Sequence, residues 1–451
     1  MSVLGSLPEF EPVLPEREDA LRALDRARVR AARAAGRGLS LFWLILGPGV
    51  LVMLGENDGP SMVSYATTGA TYGVGFFAPF IVVTFVMAYV VQEMTVRLGV
   101  ATHRGHSELI FQRFGPFWGY FALADLAFGN LLTLVTEFIA IQAGGLYFGA
   151  PSWFSVGLGA LIVFASLALR RYATWERALM ALALGNLLFI PAALLAHPDG
   201  AKLAAALATW RPLPASIGTA FVTLILANVG ATVTPWMIFF QQSAVVDKGL
   251  TRLDLPQGRL DTVLGAGVAA ITAIATLVVA AALFDAHVDV AKLNDGADFA
   301  TALEPMIGRA GSSLFALGII EAGLLAAMTI STSSSYALGE VFHAGHSHNL
   351  HFRNGKLFFG AAIVSTLFAA AIVLIPGAPL VAMTLTVNVI ATLLMAPALL
   401  FLLLLANDAE IMGELANGKL ANLAGGACIV AISLIGVVYG VITVFPELLP
   451  K

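Results

Sequence analysis

The chain has 451 residues, 59% hydrophobic and only 12% charged, about half the charged share usual in a soluble globular domain. That balance excludes a soluble enzyme or a nucleic-acid binder and fits a polytopic membrane protein; the net charge of −4 is too small to point to a partner. The single cysteine, Cys428, rules out an intramolecular disulfide, a cysteine-based metal site and a redox pair.

Residues 1 to 38 hold no apolar core, so a cleavable signal peptide is not expected. From Glu16 to Arg37 the spacing is helical and rich in arginine. It serves as a topology signal or as a helix lying on an anionic inner leaflet. Stretches long enough to cross a bilayer, about 20 residues each, follow at roughly 41–71, 74–96, 117–148, 152–169, 173–196, 215–245, 262–284, 311–342, 357–375, 380–406 and 424–445. The expected fold is therefore all-α with eleven transmembrane helices. With the N-terminus inside, only five of the 24 Lys and Arg lie outside (Lys202, Arg211, Lys292, Arg309 and Lys451). Positive residues stay cytoplasmic, so the N-terminus is expected in the cytoplasm and the C-terminus outside, in a prokaryotic plasma membrane.

Two spans are interrupted. GENDGPS, residues 55–61, breaks the first, and ANVGATVTP, residues 227–235, breaks the sixth. An interior proline costs a helix roughly 3 kcal/mol, and unpaired backbone in hydrocarbon costs more, so such breaks survive where they line a cavity. They open each of two five-helix sets, which an odd number of crossings places in opposite orientation. This is the inverted five-plus-five repeat of many secondary transporters. The expected domains are an Arg-rich tail (1–40), a first repeat (41–196), a second repeat (215–406) and an added eleventh helix with an external C-terminus (420–451).

The ionisable residues read as lying within spans are Glu56, Asp58, Glu93, Asp125, Glu137 and Glu321, and all are acidic. An intramembrane carboxylate is costly and by default functional, and a pathway of carboxylates without Lys or Arg suits a cation. Glu93, near the end of its span before Arg97, and Asp125 also read as structural caps or interhelical hydrogen bonds. Four histidines in HAGHSHNLH, residues 343–351, lack a carboxylate or cysteine at fixed spacing and read as chance clustering in a loop. The Ser/Thr run from Thr329 to Ser335 lines the pathway or lets helices pack closely.

GPGVLVMLGENDGPSMVSYATTGATYG, residues 47–73, resembles the first helix of the NRAMP divalent-metal transporters, whose hallmark is Asp-Pro-Gly-Asn. ATVTPW, residues 231–236, matches in outline the family's Ala-x-x-Met-Pro-His, and GLLAAMTISTSSSYALGEVF (323–342) extends the likeness from about Leu39 to Asn407. VQEMTVRLG (91–99), GHSELI (105–110) and PWMIFFQQSAVVDKG (235–249) are most similar to the prokaryotic NRAMP-related magnesium transporters. The resemblance implies a leucine-transporter-like fold and a metal held at the two breaks. By position it implies Asp58, Ser61 in place of the family asparagine, the carbonyls of Gly55 and Ala231, Thr234 in place of the methionine, and Asn388 near a helix-10 glutamine. Asn57 flanks this set. Glu56, Glu137, Glu321 and Asn228 are assigned to the pathway or to coupling, with Glu56 expected to point away from Asp58 if the helix continues.

Thioether sulfur favours soft or borderline ions, whereas hydroxyl, carboxylate and carbonyl oxygens suit hard ones. Thr234 in the methionine position should therefore admit Mg²⁺, which keeps several waters and uses one or two carboxylates. The family's proton relay is depleted: Trp236 stands at the histidine position, Ala140 where a second helix-3 acid would be, and residues 357–375 contain no arginine. The expected function is alternating-access transport of Mg²⁺ and Mn²⁺ with weak or no proton coupling. The metal is cargo; no cofactor, nucleic acid or obligatory protein partner is expected besides the bilayer. A proton-coupled Mn²⁺/Fe²⁺ transporter and an amino-acid carrier on the same fold are the alternatives. Asp58 and Glu56 would repel the carboxylate of an amino acid. An enzyme is disfavoured because the histidines fall outside the spans.

Overall fold

The computed structural model describes residues 16–214, 218–293, 295–375 and 380–444, and among these all regular structure is helical. Residues 445–451, including Lys451 and the expected external C-terminus, lie outside the described residues, as do residues 1–15 of the tail.

A surface helix, Glu16–Ala34, leads into a short helix, Gly38–Ile45, and then into span 1. Span 1 consists of two half-helices, Pro48–Glu56 and Gly59–Tyr72. Spans 2, 3 and 4 are Phe77–Thr102, Pro116–Tyr147 and Ser152–Leu167. Span 5 runs from Tyr172 to Leu195 through a 3₁₀ segment at Leu184–Leu188. Span 6 is again split, into Thr219–Gly230 and Pro235–Lys248. Spans 7 to 11 are Leu255–Asp285, Gly296–Val341, Lys356–Val373, Leu380–Asn407 and Lys419–Val444.

Among the described residues nine helices are long and apolar enough to cross a membrane alone. The 16-residue Ser152–Leu167 helix and the broken first span complete the eleven expected. One boundary differs from the sequence reading. The expected start of span 1 is bent by 51° between Gly38–Ile45 and Pro48–Glu56, because Pro48 lacks the N–H that would continue the ladder.

Close helix approach sets the architecture. Span 3 packs along span 8, and span 7 packs along both halves of span 1. At Gly69 a Cβ would lie 2.2 Å from the Leu277 carbonyl of span 7. At Gly230, beside the second break, it would lie 2.0 Å from the carbonyl of Asn388 on span 10. Small residues allow such contacts where hydrocarbon supplies no hydrophobic drive between helices.

The end of the bundle that carries the N-terminal helix is tightly closed. The Asp261 carboxylate accepts from the backbone N–H groups of Gly47, Gly49 and Val50 at 3.2, 2.7 and 3.1 Å, capping the first half of span 1. Lys248 at the end of span 6 donates to the Leu46 carbonyl and to Glu176 of span 5 at 2.8 and 2.7 Å. Asp247 accepts from Tyr336, Ser347 and the His348 backbone and pairs with Arg22 of the N-terminal helix. Arg26 and Arg33 of that helix hold the buried Asp254 at 2.8 and 2.5 Å. Burial alone would raise the Asp254 pKa, but the Thr251 hydrogen bonds and Arg26 outweigh it and hold the carboxyl below its usual range. Glu93 is structural here, bridging Arg97 and Arg259 at 3.0 and 2.6 Å.

The histidine loop belongs to the same closure. His348 is fully buried and stacks on Trp175 at 4.1 Å between centroids. Burial pushes its imidazole down to about 4, against an ordinary value of 6.5, while Asp247 pulls the other way. Between those values the unfolded chain binds a proton that the folded chain refuses. Stability therefore rises with pH across this window and is lost as pH falls through it, by about 1.4 kcal/mol per pH unit per histidine. His106, also held at about 4 by burial against the Gln242 bond, adds a second such term. Thermal unfolding of the purified protein between pH 4.5 and 7 should show a shallower slope in His348→Phe, which keeps the ring stack. An unchanged slope would remove this assignment.

Candidate cation site at the paired helix breaks

Asn57-Asp58-Gly59-Pro60 ends one helix and starts another by local chemistry. Asp58 is extended (φ −77°, ψ 175°) and caps the second half-helix, its Oδ1 accepting from Ser61 N at 2.8 Å. Pro60 sits in the first turn, where its missing N–H costs nothing. Oδ2 of Asp58 is left buried without a hydrogen-bond partner.

Span 3 brings a second carboxyl. Glu137 Oε2 accepts from Gly59 N at 3.0 Å and meets the Asp58 carboxyl, while its Oε1 is unpartnered. This approach requires glycine at 59, since a Cβ there would lie 2.2 Å from the Ala140 methyl. The third carboxyl is Glu56. The helix ends at this residue, so the expectation that its side chain points away from the site does not hold: Oε2 accepts from Thr234 Oγ1 at 2.8 Å across the gap to span 6. Thr234 occupies the N-cap position of Pro235–Lys248 but makes no capping bond, its hydroxyl being turned to Glu56 instead.

Glu56 Oε1, Asn57 Oδ1, Asp58 Oδ2, Ser61 Oγ and Glu137 Oε1 are thus all buried acceptors without partners. Such groups are expensive in a low-dielectric interior, and a cation beside the break offsets the cost for those it reaches. Among the described residues no three His, Cys, Asp or Glu groups converge closely enough to hold an ion by themselves. An ion here is therefore held by one or two carboxylates completed by neutral oxygens and water. Met62 adjoins the break, but its sulfur accepts from Thr276 of span 7 at 3.1 Å.

The remaining sequence candidates sort into four groups. Gly55 and Ala231 lie at the breaks: Gly55 packs against Thr329 and Trp236, and the Ala231 carbonyl accepts from Tyr65 OH at 2.9 Å. Asn57 uses its amide nitrogen elsewhere, donating to Ala269 O and Thr272 Oγ1 of span 7 at 2.9 and 2.5 Å, which leaves its Oδ1 unpartnered. Asn388 and Asn228 turn their side-chain amides to span 1, donating to Ser64 and Thr68 at 2.9 and 2.7 Å. Glu321 stands apart, its Oε2 accepting from Asn186 in the 3₁₀ segment of span 5 at 2.9 Å.

Ser61, Ser64, Tyr65 and Thr68 recur at three- and four-residue intervals and so share one face of the second half of span 1. Three of the side chains have a partner there: Ser64 meets Asn388, Tyr65 the Ala231–Thr232 segment and Thr68 Asn228, while Ser61 Oγ has none. The role of Tyr65 and Thr232 is absent from the sequence reading, although the i+4 step from Ser61 to Tyr65 carried the signal. A narrow crevice of about 10 Å³ lies beside the break, lined by Gly59, Pro60, Thr136, Ala140, Asp295 and Gly296, on the side of span 1 away from the N-terminal helix.

Comparison with known proteins places this arrangement. The family model for natural resistance-associated macrophage protein-like (Nramp) proteins matches residues 49–442. The divalent metal cation transporter MntH of Deinococcus radiodurans is 29% identical over 336 residues, covering 71% of this chain and 73% of that protein. Among solved structures, the Eremococcus coleocola manganese transporter, in complex with an aromatic bis-isothiourea substituted compound, superposes with a TM-score of 0.72 at 19% identity, covering 89% of this chain and 86% of that one. A Na⁺-coupled sialic acid symporter in a substrate-bound, outward-open state shares the fold more distantly, with a TM-score of 0.55 at 13% identity over 92% and 94% of the two chains. The eleven-span architecture with its two broken helices is thus that of the leucine-transporter-like transporters, and the chain belongs to the Nramp family.

Proposed function

We propose that the protein is a secondary transporter of divalent metal cations, carrying Mg²⁺ and Mn²⁺ by alternating access with weak or no proton coupling. The observation that carries this reading is the set of five buried, unpartnered oxygens at the break of span 1, faced by Thr234 at the break of span 6. The names of its relatives, divalent metal cation transporter and manganese transporter, agree in substrate class. The proposed ligands are Asp58, with Ser61, Asn57 and Thr234 as neutral oxygen donors and the carbonyls of Gly55 and Ala231. Glu56 and Glu137 hold negative potential around the ion. Hard oxygen donors and retained water suit Mg²⁺, and Mn²⁺ accepts the same set.

Trp236 fills the position of the family histidine, and its Nε1 has no partner, so it offers no titratable link from the site to the Ser333 side of span 8. Without a relay the drive is the metal gradient and the membrane potential, worth about 4.6 kcal/mol for a divalent ion at 100 mV. The excess of Lys and Arg in the loops at that end supports an N-terminal helix in the cytoplasm of a prokaryotic cell. On this orientation the closed end faces inward and the narrow crevice faces out.

The test is uptake into proteoliposomes of Mg²⁺, Mn²⁺ and Ca²⁺ side by side, under a clamped potential, with a pH dye in the lumen. Uptake of Mg²⁺ and Mn²⁺ without a pH change is expected. Acidification in stoichiometric step with uptake would replace this reading by the proton-coupled one. Failure of every divalent ion to enter would end it.

A further inference from the structure

At the closed end, a crevice of about 570 Å³ opens between the N-terminal helix, the Gly38–Ile45 helix, the start of span 5 and the end of span 6. That volume is in the range of small-molecule sites. It shares no lining residue with the cation site.

Its charges do not cancel. The acids that line it are already engaged: Asp25 by Arg171 at 2.5 Å, Glu176 by Lys248 at 2.7 Å, and Asp247 by Arg22, Tyr336 and Ser347. Two guanidinium groups are left with donors to spare. Among the described residues, the exposed Arg177 makes no ion pair, and Arg26, whose Nη2 holds Asp254, has an Nη1 without a partner. Ser40 adds a hydroxyl to the same crevice.

The same helices line the crevice with apolar groups. Trp43, 63% exposed, lines it together with Leu44 and Met180, and farther along span 5 Leu184 is also 63% exposed. An exposed tryptophan beside arginine marks the depth of lipid headgroups, and basic pockets between transmembrane helices accept anionic headgroups. A soluble anion would use the cationic groups and leave the apolar ones bare, whereas a phospholipid covers both.

We propose that this crevice seats an anionic phospholipid from the leaflet at this end of the bundle. Its phosphate lies between Arg177 and Arg26 with Ser40, and its chains run along Trp43, Leu44 and Met180. The bound lipid joins the N-terminal helix to spans 5 and 6, the elements that close this end.

Native mass spectrometry of the full chain, titrated with phosphatidylglycerol or phosphatidylcholine, tests this. Phosphatidylglycerol should bind at least tenfold more tightly than phosphatidylcholine. Arg177→Ala should weaken it about fivefold, and Arg177→Glu more. Arg177 is exposed, so folding is expected to survive. Arg30→Ala, at an exposed arginine of the N-terminal helix that does not line the crevice, should change nothing. Trp43→Ala should weaken both lipids. Equal binding of the two lipids, or indifference to Arg177→Glu, would overturn the proposal. Displacement of the lipid by 10 mM inorganic phosphate would also overturn it, because the ligand would then be a soluble phosphate.

Discussion

Asp58→Ala is expected to reduce metal uptake to the background of empty proteoliposomes, a loss of at least about 100-fold. The side chain does two things at once. Oδ1 caps the second half of span 1, and Oδ2 points unpartnered into the break. Losing the cap costs about 1 kcal/mol, typical of such replacements, and leaves a molecule with so many interhelical contacts folded. Losing the charge removes the carboxylate that lies between the two half-helices, where a divalent ion must exchange part of its hydration for protein oxygen. Asp58→Asn separates these effects, because its amide oxygen still caps while the charge is gone. It should unfold at the wild-type temperature and transport no better than Asp58→Ala. Uptake by Asp58→Asn above a tenth of wild type would show that a neutral oxygen suffices, and the assignment of Asp58 as the charged ligand would fail.

Asp58 was legible in the sequence because its signal is local. Asn-Asp-Gly-Pro inside an apolar run specifies a helix end, a cap and a restart within four residues, and Gly230 with Pro235 does the same in span 6. The fold followed from those two breaks and the run lengths. What the sequence did not reveal depends on partners far along the chain. Glu56 was assigned an orientation by assuming that its helix continued, yet the helix stops at that residue and the carboxylate turns to Thr234, 178 positions away. Asp261 reads as an ordinary acid near the start of span 7; it is a cap for span 1 only because span 7 packs there. His348 sits in a run that spacing rules treat as a loop cluster. Its burial against Trp175 is a tertiary fact with no periodic signature. Asn388 and Asn228 carry polar side chains at plausible heights, but a side chain's height along a span does not say which neighbour it meets, and both bond to the outer turns of span 1.

Thr234→Met should raise the uptake ratio of Mn²⁺ or Cd²⁺ to Mg²⁺ about tenfold, equivalent to 1.4 kcal/mol of relative preference. The substitution replaces a hydroxyl that donates to Glu56 at 2.8 Å with a thioether at the mouth of the second break. Sulfur adds a donor that Mn²⁺ and Cd²⁺ accept and Mg²⁺ does not. Absolute rates will fall as well, since Thr234 is only 2% exposed and overpacking such a position costs about 1–3 kcal/mol. The ratio between ions, measured on the same liposomes, is therefore the informative quantity. Thr234→Val supplies the control: it is nearly isosteric, removes the same hydroxyl and introduces no sulfur. It frees Glu56 Oε2 without changing the softness of the site, so it should slow all ions alike. A ratio that moves equally in Thr234→Val and Thr234→Met would assign selectivity to the Glu56 contact. A ratio that moves in neither would place the discrimination between hard and borderline ions outside this break.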